Sequence, residues 1–174
     1  LYHPGSSDEW LRFAFPRESR PPHRCIADYF RPAGSGVRDL IALQVVTVGA
    51  RASAEAQRLY ESNSYKEYLL FHGLSVESAE ALAEYWHLRI RTELGIAGED
   101  GKSVEDFVVQ KYRGSRYSFG YPACPDLTEN RKLFTILRPE RIGVTITDGE
   151  LMTPEQSTSA FIVHHPQAKY FNVA

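Results

Sequence analysis

The chain has 174 residues, of which 43% are hydrophobic and 24% charged, with a formal net charge of -2. That length suits one compact domain burying about 70% of its unfolded surface, and the balance is that of an ordinary globular domain. A nucleic-acid footprint would show as a basic excess; here Lys and Arg are scattered along the chain, which excludes DNA and RNA as partners. No run of about 18 apolar residues suggests a membrane span, and LYHPGSSDEW lacks the layout of a signal peptide. The expected location is cytoplasmic. The start at Leu1, without Met, reads as a piece of a longer protein. The cysteines, Cys25 and Cys124, are too few for a disulfide framework or a four-cysteine zinc site. Two reduced thiols are the preferred reading, with one disulfide as the alternative.

In chain order, WLRFAF (Trp10 to Phe15) alternates apolar and polar residues and predicts a first strand. A turn-rich approach leads to Cys25–Phe30 and the loop PAGSG, and the β-branched run Ile41–Val48 predicts a buried central strand. Helix is predicted from Ala52 to about Phe71, interrupted at Ser62–Ser64 and stopped at Gly73. A second helix is predicted from Val76 to about Leu94 with Ser75 as N-cap. Val76, Ala79, Ala83, Trp86, Ile90 and Leu94 form its buried stripe, beside a polar ridge of Glu80, Glu84, His87 and Arg91. Ser103 with Asp106 reads as a capping box for a helix ending near Gln110. Asp126 or Thr128 caps another that runs to about Leu137, before Pro139. Strands are predicted at Gly143–Thr147, Ala160–His164 and Lys169–Val173. Strands at both ends with helices between them predict an α+β domain, with a largely antiparallel, twisted sheet flanked by helices.

Several chemical motifs dissolve on inspection. GIAGEDGKS has Ile96 where a P-loop needs Gly, and it follows a helix instead of a strand. Glu84 and His87 make one Glu-x-x-His pair, whereas a di-iron centre needs two pairs and further carboxylates. Their ridge reads as solvent-facing charge with intrahelical pairing. His164 and His165 adjoin on a predicted strand and point to opposite faces, which disfavours joint metal ligation.

The segment YRGSRYSFGYPACPD (112–126) reads as a shaped, irregular ligand loop. Pro122 and Pro125 fix its backbone while Gly114 and Gly120 permit tight turns. Arg113 and Arg116 offer forks suited to a carboxylate, and Tyr112, Tyr117, Phe119 and Tyr121 offer flat surfaces for a ring. Arg116-x-x-x-Gly120-Tyr121-Pro122-Ala123-Cys124-Pro125 resembles the RxxxGYPACP motif of the activation domain of cobalamin-dependent methionine synthases. RCIADYFRP, AEALAEYWHLRIR, ERIGVTIT with LMTP, and HHPQAKYFNV are similar to further segments of that family, in family order and over nearly the whole chain.

The resemblance implies a domain, the C-terminal part of a multidomain enzyme, that binds S-adenosylmethionine in a shallow groove on the sheet. By it, Asp28 holds the ligand's amino group and Arg116 its carboxylate. The main chain of Ser118 meets the adenine, Glu80 lies near the ribose, and Tyr170 and Phe171 match the late aromatic positions. Tyr121 is placed facing the cobalamin. The implied activity is reductive methylation: inactive cob(II)alamin takes an electron from flavodoxin or another low-potential donor and a methyl group from S-adenosylmethionine. No Asp-x-His-x-x-Gly motif is present, so cobalamin is expected on a separate domain, and no zinc is expected here. Tyr117–Ser118–Phe119 stands where relatives carry Pro-Ala-Pro, and Gln110 where a second ribose-side carboxylate is expected. The alternative is a non-catalytic module that binds S-adenosylmethionine or docks a corrinoid protein.

Overall fold

The computed structural model describes residues 1–3 and 5–173. Among them, β5 (Ser157–Val163) is the middle strand of a three-stranded antiparallel sheet, flanked by β1 (Ala42–Thr47) and β2 (Ser115–Tyr117). A two-stranded ribbon of β3 (Thr145–Ile146) and β4 (Met152–Thr153) precedes β5. The helices are α1 (Ala50–Glu61), α2 (Tyr65–Glu93), α3 (Val104–Val108) and α4 (Asn130–Leu137). The predicted antiparallel α+β arrangement is the one observed.

The α1–α2 break falls at Ser62–Ser64, where Asn63 takes a left-handed φ of 58°, but α2 does not stop at Gly73. It continues for 29 residues, about 43 Å at 1.5 Å per residue. One helical glycine costs only about 1 kcal/mol relative to Ala, too little to end a helix that packs on a sheet. Ser75 caps nothing; its hydroxyl donates to the His72 carbonyl one turn back (2.8 Å). The buried stripe is Ser75, Ala79, Ala83, His87 and Arg91. The sequence reading shared its two alanines, but Trp86 is 45% exposed, and the supposedly solvent-facing His87 and Arg91 are fully buried.

Trp10–Phe15 is not a strand. Its alternation is nonetheless meaningful, because Phe13 and Phe15 both reach the core, at 5.3 Å and 4.9 Å between ring centroids from Phe161. No strand forms at Lys169–Val173 either. That segment is tied down by Tyr117, whose hydroxyl donates to the Lys169 carbonyl (2.8 Å), and by the Val173 amide, which donates to Pro122 (3.2 Å). The 112–126 segment is less irregular than predicted, since it contains β2. The capping box at Ser103 and Asp106 is observed. The Asp126 carboxylate accepts from the Thr128 amide (2.9 Å) at the turn leading into α4.

Gly114 admits β2 to the sheet. Its φ is +92°, and a Cβ there would lie 2.4 Å from the Val163 carbonyl oxygen, a backbone atom of β5. Gly114→Ala should therefore destabilise the fold by about 2–4 kcal/mol, combining a disfavoured φ with overpacking. Urea unfolding of parent and variant measures this, and a change under 1 kcal/mol would contradict it.

Candidate functional site

Alternation along β2 sends Ser115 and Tyr117 into the interior, 2% and 0% exposed, and Arg116 to the opposite face. There Arg116 meets α2: its Nη2 donates to Glu84 Oε2 at 3.2 Å, and its Nη1 lies 3.8 Å from Glu80 Oε2. The Tyr112 hydroxyl donates to the same Glu84 oxygen at 3.0 Å. Below them Arg91 donates from Nε to Asp100 Oδ2 at 2.8 Å, and its guanidinium sits 3.9 Å from the centre of the Tyr112 ring. Arg91 Nη1 is also 3.7 Å from Glu84 Oε1. Two guanidinium groups and three carboxylates thus form one cluster reaching from the core to the surface.

His87 stands edge-on to Tyr112, with centroids 5.0 Å apart. Burial, and then the charges of Arg91 and Arg116, push its pKa down to about 2, so it is neutral. Burial and the neighbouring Glu84 raise the Tyr112 phenol above its ordinary value, which keeps it a donor.

The motif loop closes as a tight reversal. The Gly120 amide donates to the Cys124 carbonyl (2.9 Å), and the Cys124 amide donates to that of Tyr121 (2.9 Å). Gly120, at φ +87°, has the Leu127 side chain where a Cβ would sit, 2.5 Å away. Cys124 is buried and donates from Sγ to the Ser118 carbonyl at 3.0 Å, and burial pushes its thiol up to about 12. Cys25 is likewise a free, buried thiol, so the reduced-pair reading holds.

A groove of about 800 Å³ opens beside this loop, with Glu80, Ser118 and Tyr121 on its walls and Asn130 and Ser159 among its lining residues. That volume lies within the range of small-molecule sites. Of the expected site residues, Glu80, Ser118 and Tyr121 line the groove; Arg116 does not, and adjoins it through Glu80, 3.8 Å away. Tyr170, 42% exposed, stacks on Tyr117 at 6.2 Å. Asp28, on the 3-10 turn Ile26–Tyr29, is paired bidentately with Arg17 at 2.6 and 2.7 Å. This exposed pair holds its carboxylate below the usual range. Phe171 is 4% exposed within the core cluster, so its ring is a packing element and not a groove surface. The same correction applies to Tyr112 and Tyr117, which the sequence suggested as stacking surfaces and which are buried; Phe119, though only 4% exposed, and Tyr121, 55% exposed, both line the groove. The sequence carries no sign of Arg17 as a partner of Asp28, nor of the pairing that joins Glu84 to Tyr112 and Arg91. It places Glu84, His87 and Arg91 on a solvent-facing ridge, with Glu80 set apart near the ribose, whereas His87 and Arg91 are buried and Glu84 is mostly covered.

A family profile described as "Vitamin B12 dependent methionine synthase, activation domain" matches residues 6–174. The chain belongs to this activation-domain family. It is 48% identical over 172 residues to a methionine synthase of Mycobacterium tuberculosis and 46% identical over 177 residues to one of Mycobacterium leprae. These alignments cover 93% and 96% of the chain but only 14% and 15% of the two relatives. The activation domain thus corresponds to a small share of each. A crystal structure of the MetH reactivation domain bound to AdoHcy superposes with a TM-score of 0.85 at 31% identity. That match covers 92% of this chain and 51% of the other. Among the described residues, no helix of the activation domain is long and apolar enough to cross a membrane.

His87 gives the activation domain a pH signature. The unfolded chain protonates this residue near pH 6.5 while the folded chain keeps it neutral down to about 2. Its contribution is therefore fully present above pH 6.5 and is lost as pH falls, by up to about 1.4 kcal/mol per pH unit. Between pH 7 and 5 the loss should be about 2 kcal/mol. His87→Phe, which keeps a neutral ring against Tyr112, should remove that slope. Urea midpoints at the two pH values decide it, and parallel losses in parent and variant would refute it.

Proposed function

We propose that the chain binds S-adenosylmethionine in the groove beside Arg116 and thereby supports reductive methylation of cob(II)alamin to methylcobalamin in a methionine synthase. In this reading the 174 residues act as one domain of a multidomain enzyme. The observation that carries it is Arg116: a side chain only 18% exposed, held by Glu84 at 3.2 Å and lying 3.8 Å from Glu80, which lines the groove together with Ser118 and Tyr121. AdoHcy bound to the structural relative supports the same ligand class.

The donor set suits a zwitterion joined to a nucleoside. Arg116 takes the carboxylate by charge-assisted hydrogen bonds. Asp28 takes the amino group by exchanging its exposed pairing with Arg17, a pairing of the kind worth about 0–1 kcal/mol. The Ser118 carbonyl already accepts from Cys124 and Tyr121, so its main chain meets an adenine through the amide side. Glu80 serves the ribose, and Tyr170 with its exposed ring borders the ligand. Phe171 serves from below by packing against Tyr117 (6.0 Å between centroids).

S-adenosylmethionine supplies an electrophilic methyl group, and cobalamin, carried by a separate domain and reduced by flavodoxin or another low-potential donor, is its acceptor. The chain's own contribution is positioning, which alone is worth several orders of magnitude in rate. Tyr121 projects from the braced loop toward that partner domain.

Arg116→Ala should weaken S-adenosylmethionine binding by about 2–4 kcal/mol, since a ligand carboxylate loses its partner. Titration calorimetry measures this, and unchanged affinity would remove Arg116 as the clamp. Tyr121→Phe should leave ligand affinity nearly intact and slow methylcobalamin formation when the cobalamin domain and a fixed reductant are supplied. Equal rates would take Tyr121 out of the mechanism, and joint loss of affinity and rate would make it a loop-packing residue.

A further inference from the structure

We infer that Glu84 is a positioning residue of the groove: held by Tyr112 and the buried Arg91, it aims the Arg116 guanidinium at the ligand's carboxylate. The inference rests on the reading of Arg116 as the carboxylate clamp. A long arginine side chain recognises a carboxylate well only when its planar fork is already oriented, because orienting it on binding costs affinity.

Glu84 supplies that orientation from a rigid base. Its Oε2 accepts from two directions, from Tyr112 at 3.0 Å and from Arg116 at 3.2 Å. Its Oε1 lies buried, 3.7 Å from Arg91 Nη1. Arg91 cannot swing, since it is 1% exposed, ion-paired to Asp100 (4% exposed) at 2.8 Å and stacked under the Tyr112 ring. The base therefore joins two elements separate in sequence, α2 and the segment that leads into β2. Glu80 does not do the same work. It is 46% exposed and 3.8 Å from Arg116, so it is a looser contact free to turn toward a ligand.

Glu84 engages only one of the two terminal nitrogens of Arg116 by a hydrogen bond. A guanidinium has five donors, so others remain to donate to a ligand carboxylate while Glu84 holds the group in place. Arg91 and Asp100 make the arrangement affordable, because Glu84 is countered from below by one cation and from above by the other.

The test compares two probes by calorimetry on the whole chain: S-adenosylhomocysteine, and S-adenosyl-3-thiopropylamine, which differs only in lacking the carboxylate. Glu84→Gln should weaken S-adenosylhomocysteine binding about tenfold, the scale of one charge-assisted hydrogen bond, and leave the amine within about twofold. Tyr112→Phe, which deletes one oxygen, should act in the same direction by about threefold, and it decides the matter should Glu84→Gln fail to fold. In both variants the Arg116 Nε–H should exchange faster with solvent in the ligand-free chain, a readout that needs no ligand. Equal weakening toward both probes would make Glu84 a merely structural residue, and tighter S-adenosylhomocysteine binding would make it a competitor of the ligand. Either result overturns the inference. A parent chain that binds neither probe removes the proposed ligand itself, and with it the role given to Glu84. Binding of both probes with unchanged selectivity in the variants overturns the positioning role alone.

Discussion

β2 is three residues long, yet its pairing decides where Arg116 emerges and where the Ser118–Tyr121 side of the groove begins. Its register opposite β5 sets Ser115 against Val163 and Tyr117 against Phe161. Tyr117 is thereby buried with Phe161 and Phe171, and Arg116, between the two inward-facing residues, must emerge on the face covered by α2. A one-residue slip would exchange the faces, burying a guanidinium in an aromatic core. Gly114 guards against this at one end by permitting close approach to the Val163 carbonyl. At the other end, the reversal at Gly120–Cys124 fixes where the strand stops.

The charge cluster under Arg116 follows from the same pairing, and it explains why α2 buries residues that look fit for solvent. Isolated buried charges are costly, but paired ones are tolerated when their remaining hydrogen-bonding capacity is also used. Arg91 meets the first condition through Asp100 and Glu84, and the Tyr112 ring covers its guanidinium face. His87 meets it differently, by giving up its charge. The small Ala79 and Ala83 let the helix lie close enough to β1 for Gln44 to donate to the Ala83 carbonyl at 3.3 Å. That close packing puts Glu80 and Glu84, on the adjoining face, within reach of β2.

What could be read in the sequence, and what could not, divides along the same line. Local signals with a local cause were legible: the capping box at Ser103, the cap at Asp126, the break at Ser62–Ser64 and the β-branched run that became β1. That strand lies at the sheet edge beside β5 and is not the buried central strand expected, since edge or centre is set by distant partners. Order along the chain and the RxxxGYPACP segment made the fold class and family legible too. The errors arose where partners distant in sequence decide the outcome. Gly73 and Ser75 look like punctuation until a sheet supports the helix through them. Trp10–Phe15 alternates like a strand, but its backbone has no neighbouring strand, and only its aromatic faces find the core. The α2 stripe was mis-phased toward Trp86 because hydrophobicity is a poor guide to burial for His87 and Arg91, whose partners lie on Asp100 and Tyr112. Of the expected groove aromatics, Phe119 and Tyr121 line the groove, whereas Tyr112 and Tyr117 are buried, because sequence marks a ring without saying which side of the sheet it will occupy.

Three buried groups, His87, Tyr112 and Cys124, are each shifted toward the neutral form, and that bears on what the domain can do chemically. Burial keeps His87 neutral as a base, Tyr112 neutral as a phenol and Cys124 neutral as a thiol. A site built for proton transfer would hold at least one such group near its working pH, and a nucleophilic thiol would need a lowered pKa. Here each group is moved away from reactivity and used as a fixed part: His87 as an edge against Tyr112, Tyr112 as a donor to Glu84, Cys124 as a donor to the Ser118 carbonyl. Such parts hold their geometry across the neutral pH range because none of them gains or loses a proton there. Transfer of a methyl group from a sulfonium needs no acid or base from the protein, only alignment of donor and acceptor. A scaffold in which these titratable groups are locked in one state, and in which the Arg116 guanidinium proposed to meet the ligand is held by Glu84, is suited to that requirement.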